Sequence, residues 1–110
     1  MARANDALQG TLDLLVLKSL AQMGEMHGFG IALHIQNVSN ELLSVEEGSL
    51  YPALHRIELA GWIASAWGTT ENNRKAKYYR LTALGRRQLA HEEANWAQIV
   101  KGVGAVLRHA

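Results

Sequence analysis

Six of the eleven lysine and arginine side chains in this 110-residue chain fall between Arg74 and Arg87, and no acid interrupts them. They are Arg74, Lys75, Lys77, Arg80, Arg86 and Arg87, whereas acids such as Glu41, Glu46, Glu47, Glu92 and Glu93 lie elsewhere. A net charge of +1 excludes a bulk-basic chain, so any polyanion must be met locally through this segment. Upstream, Ser44 to Leu54 reads SVEEGSLYPAL and continues as HRIELAGWI. At helical spacing it presents Ser49, Tyr51, Pro52, His55 and Arg56, groups that hydrogen-bond to base edges and pack beside them. Arg74, Lys75 and Lys77 are then the phosphate candidates. A solvated basic face and a Tyr51 that covers the core edge are the duller readings of the same residues.

Other chemistries find little support. His27, His34, His55, His91 and His109 are scattered without a close pair or surrounding carboxylates, and cysteine is absent, so no metal, disulfide or cofactor is expected. Gly28 and Gly30 form no phosphate loop, because no strand is expected before them and no lysine follows. Nothing resembles a nucleophile elbow, and catalysis is not expected.

The elements that position these residues follow from periodicity and caps. With 48% apolar and 19% charged residues the chain is a folded one, and its length favours one domain. A first helix is expected over about Thr11 to Met23, with Thr11 as N-cap and Asp13 in the first turn, where the helix dipole favours an anion. Leu12, Leu14, Leu15, Val16, Leu17 and Leu20 cover nearly its whole circumference, so it needs partners on more than one side, one of them a second subunit. Gly28 to Val38 forms the next helix, with Ile31, Ile35 and Val38 facing the core, and a short polar link through Ser39 and Asn40 leads on.

Ser44 with Glu47 fits a capping box, which predicts a third helix from Val45 to Ala60 ending at Gly61, with Pro52 bending its start. Its wheel puts Leu50, Leu54 and Ile57 on the core side and Ser49, Pro52 and Arg56 opposite, with Tyr51 and His55 on the flank. The alternation from Trp62 to Trp67, the break at GTTENNRKA and its resumption from Lys77 to Leu81 predict a hairpin with a basic tip, anchored by Trp62 and Trp67. Thr82 then caps a final helix to about Leu107, where Leu89, Trp96, Val100, Val103 and Leu107 follow heptad-like steps.

These elements predict a mostly α fold with a small β-hairpin (α+β), a winged helix-turn-helix followed by a dimerisation helix. Residues 1–82 are the DNA-binding part with an N-terminal arm, and residues 83–110 the dimerisation helix, in one structural unit. The expected dimer interface comprises Leu12, Leu15, Leu89, Trp96, Val100, Val103 and Leu107. No hydrophobic signal region opens the chain and no long apolar run follows, so no membrane partner and a cytoplasmic location are expected.

The segments LQGTLDLLVLKSL, HGFGIALHI, EEGSLYPALHRIELAGWI and KYYRLTALGRRQL resemble successive signatures of the PadR family of bacterial transcriptional regulators, over roughly Leu8 to Leu107. With one helix after the wing, the chain is similar to the short subfamily. The resemblance implies a homodimer on double-stranded DNA with a palindromic operator, repression of nearby genes, and release by a small planar aromatic or phenolic ligand. It also implies DNA reading by Ser49, Leu50, Tyr51, Pro52, His55 and Arg56. Trp96, with Val100 beside it, matches a tryptophan that stacks on aromatic compounds in one branch; an interface filler is the other role open to it. A winged helix that contacts only protein, without DNA or effector, is the alternative, and a pocket-bearing enzyme or carrier a more distant one.

Overall fold

A computed structural model describes residues 2–109, with side chains from residue 10 to 109. The element order is α1 (Ala2–Met23), β1 (Met26–His27), α2 (Gly28–Val38), α3 (Glu47–Leu59), β2 (Ile63–Thr69), β3 (Lys75–Leu81) and α4 (Ala83–Arg108). The predicted α+β architecture is present, and three of its elements differ from expectation.

The first is α1, which starts at Ala2 and runs straight through Gly10 and Thr11. Thr11 is therefore mid-helix rather than an N-cap, and Asp13 is not in a first turn. Val16, Leu17 and Leu20 are buried, and Leu12, Leu14 and Leu15 are half-buried against the same core. α1 packs on α2, α3, α4 and β3, so most of its circumference is covered by its own chain.

The second is the sheet. The hairpin of β2 and β3 pairs Ile63 with Leu81 through Thr69 with Lys75, and β1 adds a third antiparallel strand by pairing Met26 with Tyr79 and His27 with Tyr78. A short strand therefore does precede Gly28. His27 then caps α2, its Nδ1 accepting from the Gly30 N–H at 3.0 Å.

The third is the helix-turn-helix link, which is longer than Ser39 and Asn40. Asn40 and Glu41 both take left-handed backbone conformations (φ 54° and 64°), and the chain stays non-helical to Glu46. Val45 is drawn onto the core, which keeps this stretch extended past Ser44. The predicted capping box does not form: the N-cap is Glu46, without a side-chain cap bond.

The core joins Val16, Leu17 and Leu20 with Ile31, Ile35, Leu50, Leu54, Ile57, Ile63, Tyr79 and Leu89. Val38, expected inside, is exposed, and so is Trp67, whereas Trp62 packs on the core as expected. Gly61, at φ +85°, ends α3 as only a glycine does readily. Thr82 ties the wing to α4: its hydroxyl donates to the Gly61 carbonyl at 2.7 Å and accepts from the Gly85 N–H at 3.0 Å. A Cβ at Gly85 would stand 1.9 Å from the Trp62 carbonyl oxygen, so this close approach admits no larger residue.

Leu89, placed on the dimer seam by its heptad step, is instead buried in the chain's own core. Beyond Glu93, whose carboxylate pairs with Lys18 of α1 at 2.9 Å, α4 leaves the domain, and nearly all of its residues are exposed. This projection explains a radius of gyration of 15.1 Å, where a compact chain of this length has about 13 Å.

Candidate nucleic-acid interface

Helix α3 is buried along one stripe, Leu50, Ala53, Leu54 and Ile57. The 100° step between residues then fixes what each remaining position faces. Gly48, Pro52, His55 and Leu59 lie opposite the stripe and are exposed. Pro52 lacks the N–H that would pair with the Gly48 carbonyl in the second turn, and the first turn is closed ahead of it by the Glu46 carbonyl accepting from Ser49 and Leu50.

The flank toward α1 is fixed. Arg56 Nη2 donates to Asp13 Oδ1 at 2.5 Å, with the Asp13 side chain 12% exposed and that of Arg56 39%. Burial raises the Asp13 carboxyl above the ordinary value of 3.8; the hydrogen bond and charge of Arg56 oppose that, and Glu92 of α4 adds to it. Arg56 therefore turns sideways to α1, and the wheel that placed it opposite the core misjudged its direction. Ser49 and Pro52 line an open cleft of about 540 Å³ on this side, together with Leu12, Leu15, Val45 and Arg56.

The flank toward the wing is open. Tyr51 packs its ring against Gly28, where a Cβ would come within 2.8 Å of it, and the residue remains 44% exposed. Between Tyr51, the start of α2 and the hairpin lies a second cleft, of about 590 Å³, whose lining includes Trp67, Arg74, Lys75 and Lys77. Outside its lining, Glu58 accepts from the Ser65 hydroxyl at 2.5 Å and lies 3.9 Å from Nζ of the cleft residue Lys77. Burial, and then the charge of Glu58, raise the Tyr79 hydroxyl above its ordinary value, which keeps it neutral. Arg74 and Lys75 stand exposed at the hairpin tip, with no salt bridge among the described residues.

The structure thus brings Tyr51, Arg74, Lys75 and Lys77 onto one cleft and Pro52 and His55 onto the adjoining exposed face. Ser49 and Arg56 go to the other flank. Sequence reasoning assigned Asp13 to the helix dipole rather than to Arg56 and did not find Glu58, Phe29 or the cleft role of Trp67; an acid in the buried-facing row of an otherwise apolar helix was the available signal for Asp13.

Residues 16–91 match the model of the transcriptional regulator PadR-like family. The chain belongs to the PadR family. The match takes in β1, the helix-turn-helix, the wing and the first turns of α4, and PadR members are transcriptional regulators, not enzymes. Solved structures agree over nearly the full length. A transcriptional regulator from Clostridium thermocellum is 29% identical, with a TM-score of 0.81 over 91% of this chain and 96% of that one. A PadR family transcriptional regulator from Eggerthella lenta is 30% identical, with a TM-score of 0.76 over 99% and 92% of the two chains. An uncharacterised protein from Lysinibacillus sphaericus is 30% identical over 95 residues, 86% of each chain. As a PadR regulator, the chain works through DNA-binding regulation, and among its described residues no helix is long and apolar enough to cross a membrane.

Proposed function

We propose that the chain acts as a homodimer on a palindromic operator, with each α3 in a major groove and each hairpin on the neighbouring backbone. The observation that carries this reading is the α3 face of Gly48, Pro52 and His55, left uncovered beside the exposed cations of the wing tip. His55 and Tyr51 are then nearest the bases, with Ser49 and Arg56 at the far edge of the footprint, and Arg74, Lys75 and Lys77 hold phosphates.

The second subunit is inferred from α4. Trp96, Ile99, Val100, Val103, Val106 and Leu107 form an exposed apolar stripe on a helix that has left its own domain, a surface that water would drive into association. Ile99 and Val106 replace Leu89 in the predicted seam, and Leu12 and Leu15 of α1, half-buried beside the α3 cleft, complete the proposed interface. The regulator represses nearby genes, and a small planar aromatic ligand seated on Trp96 and Val100 releases it by fitting one spacing of the two α3 helices better than another.

Sedimentation of the full chain, with DNA binding measured in parallel, tests this. Wild type sediments as a dimer at micromolar concentration, and Val103→Asp is monomeric and loses most of its affinity for duplex DNA. A folded, monodisperse wild-type monomer that still binds DNA overturns the dimer. Operator affinity that no aromatic compound shifts, in wild type or Trp96→Ala, overturns the effector seat.

A further inference from the structure

The cleft between α3 and the wing is more than a basic surface. Phe29 from α2, Tyr51 from α3 and Trp67 from β2 contribute rings to it beside those of His27 and Tyr79, and Phe29 and Trp67 are each about two-thirds exposed. Leaving such rings in water costs burial that a soluble chain ordinarily takes. Beyond them, toward the hairpin tip, stand Lys77, Lys75 and Arg74, and among the described residues no carboxylate lines the cleft. Lys77 is partly answered by Glu58 at 3.9 Å; Lys75 and Arg74 have no ion-pair partner among the described residues.

The backbone of a DNA duplex satisfies the cations and leaves the rings idle. A ligand that gains at both ends has a flat apolar group at one and a polyanion at the other. Two unpartnered cations match two or more negative charges, which an aryl carboxylate lacks. Trp67 pairs with Lys77, so Lys75 lies two strand residues beyond the ring, about 7 Å at roughly 3.3 Å per residue, a step that the sugar between a base and its phosphates bridges. The cleft volume, about 590 Å³, falls within the range of small-molecule sites, about 300–1,000 Å³.

We propose that this cleft binds a nucleoside diphosphate, with the base stacked on Trp67 and the phosphates held by Lys75 and Arg74. The two cations are also those placed on DNA phosphates above, so nucleotide and operator exclude one another, and DNA affinity follows nucleotide concentration. This competition rests on the DNA reading; nucleotide binding itself does not.

Calorimetric titration of the full chain with ADP, adenosine and inorganic pyrophosphate separates the two ends of the site. ADP binds at least about tenfold more tightly than either fragment. Trp67→Ala, at an exposed position, lowers ADP affinity about tenfold and leaves pyrophosphate unchanged, because stacking is removed and charge is not. Phe29→Ala, a second exposed ring, lowers ADP affinity in the same sense and guards against a fold defect in the first variant. Lys75→Ala weakens ADP and pyrophosphate and leaves adenosine unchanged. Equal affinity for ADP and pyrophosphate, no ADP binding at about 1 mM, or tighter binding of a short single-stranded oligonucleotide overturns the proposal. A final titration measures DNA affinity against ADP concentration. Competition raises the apparent Kd for duplex in proportion to ADP without a plateau, whereas a separate site gives an effect that saturates. The first three titrations decide the nucleotide site alone, and the last decides whether DNA uses the same cations, so the two readings fail separately.

Discussion

The two flanks of α3 face opposite fates. On the α1 side, Arg56 and Asp13 cancel each other's charge and fasten the helix to the domain, and the neighbouring cleft is lined mainly by apolar and small polar groups. On the wing side, three cations meet one acid, and aromatic rings stand in water. The helix has a similar supply of polar residues on both sides; what differs is whether the chain supplies their partners. A flank whose charges are already answered serves stability, and one whose charges are unanswered is left for a ligand.

If that contrast holds, substitutions on the two flanks should separate stability from binding. The largest effect belongs to Arg56→Ala, which leaves the Asp13 carboxylate with little solvent and Glu92 nearby. A fully buried pair would cost more, but Arg56 is partly exposed, so about 2 kcal/mol is expected in denaturant unfolding. A loss below about 0.5 kcal/mol would make the pair a surface ornament.

The same site gives a pH dependence with a definite sign. A carboxyl whose folded pKa is raised stabilises the fold below its unfolded value, and that contribution is lost as pH rises through the folded pKa. For Asp13 the loss begins above its ordinary 3.8, and removing Arg56 takes away both influences that hold the pKa down, which extends the loss to higher pH. The deficit of Arg56→Ala is therefore smaller at pH 4 than at pH 7. Unfolding curves at the two pH values check this, and a deficit independent of pH would contradict it.

On the open flank the effects move from folding to binding. Lys75→Ala together with Arg74→Ala should leave stability within about 0.5 kcal/mol, because neither side chain has a salt-bridge partner among the described residues. The salt dependence of duplex binding should flatten by about 0.9 in logarithmic slope for each phosphate that the variant no longer neutralises. An unchanged slope would take the wing tip off the DNA. The smallest effect is that of Glu58→Gln, which frees Lys77 while an amide oxygen still accepts from Ser65. Duplex affinity should rise by about 0.3–0.5 kcal/mol, measured by anisotropy at low salt.

Much of this contrast was visible in the residues themselves. The bounds of α2, the presence of the hairpin and the start of α4 after Thr82 were legible because apolar period, turn residues and caps agree there, although the strands run two residues further into the expected tip on each side. Helix α3 kept its core stripe but started later than predicted: Val45 turns inward to the core, a tertiary preference that no local cap signal reports. Strand β1 is two residues long and has no period to read. Gly10 and Thr11 looked like a boundary, yet α1 passes through both. The Asp13–Arg56 pair spans 43 positions, and pairing at that distance is decided by how α3 crosses α1. Leu89 continues the heptad step of the seam but sits on the last part of α4 that its own domain still covers.

The central claim, that the exposed face of α3 reads DNA sequence for a two-fold dimer, is tested most directly by selecting binding sites from random duplexes with wild type and with His55→Ala. Wild type should return a palindrome whose half-sites lie one or more helical turns apart, at about 34–36 Å per turn. His55→Ala should lose preference at symmetric positions while its salt dependence stays the same. Recovery of no shared sequence by wild type, or of an identical palindrome by both proteins, would contradict the account.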